Sequence, residues 1–75
     1  MYADIGRLDA VIRSIDGDAL ELAPMRSGAP LVRAQISSYL RSDSLTLAQI
    51  RPGDTIGAVV YRRRGEDMRI TKMWR

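Results

Sequence analysis

A chain of 75 residues with a formal charge of +3 and neither cysteine nor histidine is one domain's worth of sequence, near the smallest core that folds unaided. The missing residue types exclude a standard zinc site, a thiol nucleophile, c-type haem attachment and a Ser-His-Asp triad. The acidic residues are scattered through turns and exposed strand positions, so no enzyme and no cofactor are expected. An apolar content of 45% argues against disorder.

The first segment, Ile5 to Ile15, is rich in β-branched residues but does not alternate cleanly. Leu8, Ala10 and Ile12 share one parity, and Val11 and Ile15 the other. A bulge near Val11 or Ile12 would carry the inward face across one residue. Asp16-Gly17-Asp18 reads as a tight turn; as a Ca²⁺ loop it lacks the necessary oxygen ligands. Leu20 and Leu22 alternate in a second strand that ends at Pro24, and Met25 to Pro30 is a loop. The third strand, Leu31 to Ile36, points Val32, Ala34 and Ile36 inward and Arg33 and Gln35 outward. Gly6 and Gly57 inside strands suggest bends or close backbone approach.

Residues 37–50 read as a polar ordered loop, with Ser44 capping a short helix in which Leu47 and Ile50 share one side. Pro52-Gly53 suits the centre of a type II turn. Beyond it Ile56, Ala58 and Val60 share one face of a fourth strand, and Thr55, Gly57, Val59 and Tyr61 the other. A charged tip, Arg62 to Asp67, leads into the last strand. There Met68 and Trp74 share a parity with Ile70 and are expected to cap the core, with Met73 facing out.

The elements form a single all-β domain over residues 1–75. It is a five-stranded OB-like barrel with a short helical turn between strands 3 and 4. Three family resemblances go with this layout. AVIRSID (Ala10–Asp16), AQIRPGD (Ala48–Asp54) and RIT (Arg69–Thr71) resemble the CusF-like periplasmic copper-binding domains. That family holds its metal with His, two Met and Trp around the second and third strands. The corresponding LELAPMRSGAPLVRAQI has one Met, no His and no Trp, so no metal site carries over. The chain is also similar to bacterial exported domains with V-x-x-I-D-G-x-x-L and L-x-x-I-x-x-G-D patterns, which imply a fold and no activity. LVRAQIS (Leu31–Ser37), Arg41 and RPGD resemble, more partially, bacterial translation initiation factor one and S1-type RNA-binding barrels.

Charge supplies the functional expectation. Residues 1–50 carry five Arg against six acids, while residues 51–75 carry seven Lys/Arg against three acids. Arg62, Arg63, Arg64, Arg69, Lys72 and Arg75 would neutralise the phosphates of a single-stranded nucleic acid or another polyanion, with Tyr61 and Trp74 as stacking platforms. Set against this, a hairpin tip whose Arg side chains are partly neutralised by Glu66 and Asp67 also serves simply to keep an edge soluble. No aromatic residue lies on strands two and three, where sequence-tolerant barrels of this type usually present them. The alternative is a protein-interaction or structural domain of a larger, exported protein. A remote alternative, a Cu(I) carrier, would use Met25, Met68, Met73 and Trp74. The longest apolar run is too short to span a membrane, and MYADIGRLDA lacks the regions of a signal peptide. A cytoplasmic location is expected, or a periplasmic one if the barrel belongs to an exported protein.

Overall fold

The computed structural model describes residues 3–75, with side chains described from residue 5 onward. Tyr2 and the Asp4 side chain, for which the sequence suggests no role, lie outside the described residues. The elements are β1 (Ala3–Asp16), β2 (Ala19–Pro24), β3 (Val32–Ile36), a lone 3-10 turn (Leu47–Gln49), β4 (Thr55–Arg63) and β5 (Met68–Trp74). The strands close into one barrel in the order β1-β2-β3-β5-β4 and back to β1. All neighbours are antiparallel except β3 and β5, which run parallel through Ala34–Met68, Gln35–Arg69 and Ile36–Ile70. The protein is therefore an all-β, five-stranded closed barrel, compatible with the OB-like architecture. No helix among the described residues is long and apolar enough to cross a membrane.

The turns follow from their residues. Asp16 pairs with Ala19, leaving a two-residue loop whose first member, Gly17, has φ 61°; glycine at that position marks a type II′ hairpin turn. At Arg51–Asp54 the Asp54 N–H donates to the Arg51 carbonyl at 3.1 Å, and Gly53 takes φ 97°. That is the expected type II turn, in which the third position needs positive φ.

The core is built from the inward faces of all five strands. Its largest fully buried side chains are Ile12, Leu20, Leu22, Ile56, Ile70 and Met73. Two bulges decide which residues reach it. On β1, Ile12 pairs with Leu22 and Ser14 with Glu21, so Arg13 is the extra residue. The bulge thus lies just after the predicted Val11–Ile12. It keeps Ala10 and Ile12 inside while bringing Ile15, opposite Leu20, back to the core side.

The second bulge overturns an expectation. Val59 pairs with Lys72 but Val60 with Ile70, so Thr71 has no cross-strand partner on β4, and its hydroxyl donates to the Val59 carbonyl at 3.4 Å. Strict alternation from Ile70 would put Trp74 in and Met73 out. The inserted residue reverses this: Met73 is fully buried, whereas Trp74 pairs with Gly57 on the outer face.

The loop after β3 is ordered because its backbone is tied to β5. Ser37 N–H donates to the Ile70 carbonyl, Arg41 N–H to that of Thr71 and Leu45 N–H to that of Met73, at 2.8, 2.8 and 2.9 Å. The Ser44 hydroxyl accepts from Met73 N–H at 2.8 Å and donates to the Leu45 carbonyl at 2.7 Å. Ser44 is therefore a clamp on β5 and caps nothing. The N-cap is Thr46, whose N–H donates to Gln49 Oε1 at 2.9 Å in a capping-box arrangement. Leu47 packs on the core, and Ile50 just after the turn is buried within it.

Because the second bulge exchanges the roles of neighbouring residues, Met73→Ala is expected to cost about 2–5 kcal/mol of unfolding free energy, the range for a large-to-small core change. Met68→Ala, at a half-buried position, should cost clearly less. Urea denaturation of the two variants checks the order, which unbroken alternation would reverse.

Candidate functional site

Three strands share one outer face. Cross-strand pairing sets Ile5, Tyr61 and Arg69 in one row, Arg7, Val59 and Lys72 in the next, and Asp9, Gly57 and Trp74 in a third. Side chains that pair across neighbouring strands stand on the same side of the sheet. The face thus mixes cations with Ile5, Val59, Tyr61 and Trp74. Ile5 is 77% exposed.

The predicted site residues fall into two groups. Arg62, Arg63 and Arg64 are exposed at the hairpin tip, and Tyr61 and Arg69 stand side by side just below it. No ion pair among the described residues involves these four arginines; Glu66 and Asp67 neutralise none of them by contact. The Tyr61 hydroxyl lies 3.5 Å from Oγ of the buried Ser37, at the edge of hydrogen-bonding range.

Lys72, Trp74 and Arg75 form no part of that cluster. Lys72 Nζ donates to Asp43 Oδ2 at 2.9 Å, and Arg41 Nε to Asp43 Oδ1 at 3.3 Å. Arg75 donates to the Gln49 carbonyl and, at 3.3 Å, to Asp54 Oδ2. The same Asp54 oxygen accepts from Arg51 N–H at 2.9 Å. Both cations are thus engaged with nearby carboxylates. Tyr61 and the Gly57 beneath Trp74 are separated by four strand positions, about 13 Å at the usual rise, so the two aromatic rings form separate platforms.

Trp74 is held from both sides. Its indole lies against Gly57 so closely that a Cβ there would stand 2.5 Å from Cε2. The Arg7 guanidinium carbon sits 5.0 Å from the ring centroid, within cation–π range, and Arg7 Nε is 3.8 Å from Asp9 Oδ1. Of the two strand glycines expected to mark bends or close approach, Gly57 does so, while a Cβ at Gly6 would meet nothing within 4 Å. Arg7 was not among the residues singled out from the sequence. The signal for it was the parity of β1, which sets it on the outer face opposite Leu8; its place beside Val59 comes from the register.

The sulfur atoms do not gather round the indole as a set. Met73 is inside the barrel and Trp74, the next residue, outside it, while Met25, exposed in the loop after β2, shares a surface groove with the indole. Among the described residues no group of three or more Asp, Glu, His or Cys is placed to hold a metal ion.

Asp43 stands apart among the carboxyls of the described residues. The hydrogen bond from Lys72 lowers its pKa below the ordinary value, with the charges of Lys72 and Arg41 adding to the effect. No family model, curated protein or solved structure matches this chain.

Two expectations follow from this geometry. Gly57→Ala should force the indole off the sheet, red-shifting Trp74 emission and destabilising the fold by about 1–3 kcal/mol, as overpacking does. Fluorescence and thermal melts read both. A depressed carboxylate pKa contributes stability above the unfolded-state pKa that is lost as pH falls through the folded value. The difference in melting temperature between wild type and Asp43→Asn should therefore be small but present at neutral pH, because the pair is exposed, and should disappear on acidification.

Proposed function

We propose that this barrel is a non-catalytic binding module that engages a polyanion, single-stranded nucleic acid above all, through the tip and upper outer face of the β4–β5 hairpin. The observation that carries this reading is the division among the cations. Among the described residues Arg62, Arg63, Arg64 and Arg69 have no carboxylate partner beside Tyr61, whereas Lys72 and Arg75 are engaged in ion pairs. Unpaired guanidinium groups release counterions when they meet phosphates, and an adjacent aromatic ring lends a sequence-tolerant stacking surface. Arg7 stands lower on the same face but is paired with Asp9 and stacked on Trp74. Trp74 contributes less than the sequence suggested, because it stands two rows away from Tyr61 and Arg69, against Gly57 and beside Arg7.

The resemblance of LVRAQIS, Arg41 and RPGD to initiation factor one and S1-type barrels supports the same reading. Arg41 itself is engaged with Asp43. Copper carriage in the CusF-like manner draws less support, since Met73 and Trp74 lie on opposite sides of β5. A protein-contact role draws on Ile5, a large exposed apolar residue next to Tyr61.

Fluorescence anisotropy with labelled oligo-dT and oligo-rU tests the proposal. Four phosphate contacts give a slope of log K against log salt of about −3 for single strands. Arg62→Glu/Arg64→Glu should weaken binding at least about tenfold, equivalent to ~1.4 kcal/mol, and Arg75→Glu far less. Unchanged affinity after reversal of both tip charges would falsify the assignment. Protein capture that is insensitive to salt and lost in Ile5→Ser would instead favour the contact role.

A further inference from the structure

The lower end of the same molecule carries a second feature that the polyanion reading does not use. A groove of about 700 Å³ opens between the middle of β1, the loop from β2 to β3, the start of β4 and the end of β5. Its apolar lining includes Leu8, Met25, Pro30, Val32, Ile56 and Trp74. The volume falls within the range of small-molecule sites, which combine an apolar surface with a few convergent polar groups.

The polar groups on this groove are unbalanced. Arg7, Arg26 and Arg75 line it against one carboxylate, Asp9. Arg7 is 3.8 Å from Asp9 and Arg75 is 3.3 Å from Asp54. Arg26 alone has no carboxylate partner among the described residues. Met25 beside it is 64% exposed. A large apolar side chain left in water next to an unpaired cation presents complementary surface to an amphipathic anion. Trp74 forms a rigid wall, fixed by Gly57 and Arg7, so little ordering cost attaches to that side.

We propose that this groove binds a small apolar molecule carrying one anionic group, its hydrocarbon body against Met25, Pro30, Val32 and Trp74 and its charge toward Arg26. One unpaired cation suits one anion and gives a polyphosphate backbone little to follow, which separates this site from the hairpin tip.

The intact chain is titrated with sodium dodecanoate below micelle formation, and separately with dodecyltrimethylammonium bromide, while emission from Trp74, the single tryptophan, is followed. Dodecanoate should give a saturable change, with the cation at least about tenfold weaker, since the two probes share a tail and differ in the sign of the head group. Arg26→Glu, in an exposed loop, should lower dodecanoate affinity about tenfold with an unchanged circular dichroism spectrum. Arg62→Glu/Arg64→Glu should leave dodecanoate binding intact, so loss of one site is distinguishable from loss of the other. Equal responses to both probes, a response that never saturates, or an Arg26→Glu variant that binds dodecanoate as wild type does would each overturn the proposal.

Discussion

The extra residue on the last strand governs the rest of the outer surface. With Thr71 unpaired, β5 rotates its side chains by one position. Met73 then fills the barrel and Trp74 lies across Gly57. Without the bulge the indole would compete for the interior with residues already packed there, and a flexible thioether would occupy its place outside. A bulge leaves one residue out of the ladder and bends the strand. The tie between Thr71 and Val59, together with the clamp from Ser44 to Met73, holds that bend in place.

Placing Trp74 outside has electrostatic consequences. The ring draws Arg7 over its face and so joins β1 to the end of β5 by a contact that needs no backbone pairing. Lys72 is turned toward Asp43 and Arg75 toward Asp54. What began in the sequence as one basic run becomes two populations, a tip unpaired among the described residues and an engaged lower strand, while Arg7 and Arg26 from the first half of the chain stand at the groove. Net charge alone says nothing of this division, because exposed ion pairs and free cations count equally in composition.

The barrel was legible where turn chemistry and alternation agreed. Gly17, Pro52-Gly53 and the inward set Ile56, Ala58 and Val60 emerged as read, because each rests on a local rule of period or φ. The failures share one cause. Bulge positions depend on which rung of the partner strand is occupied, and a single sequence carries no register. The first bulge could be inferred from conflicting parities on β1 and was misplaced only slightly. The second left no conflict, since Met and Trp are both acceptable inside or out. Ser44 was misread for a related reason: a serine before a helical turn resembles a cap, and only its distant partner Met73 reveals the clamp. The hairpin tip was found by charge, but its separation from Lys72, Trp74 and Arg75 depended on Asp43 and Asp54, whose proximity comes from the fold.

The parallel seam between β3 and β5 joins parts of the chain far apart in sequence, Ala34 beside Met68, through only three rungs. Such pairings must wait until the intervening polypeptide has been gathered in, because closing a long loop costs entropy before any bond repays it. The β1–β2 and β4–β5 hairpins can zip from their own glycine turns, so they are the natural starting points. Completion of the cylinder is then a late event in its assembly, and the short stitch is prolonged by the backbone ties that run from Ser37, Arg41 and Leu45 to the last strand.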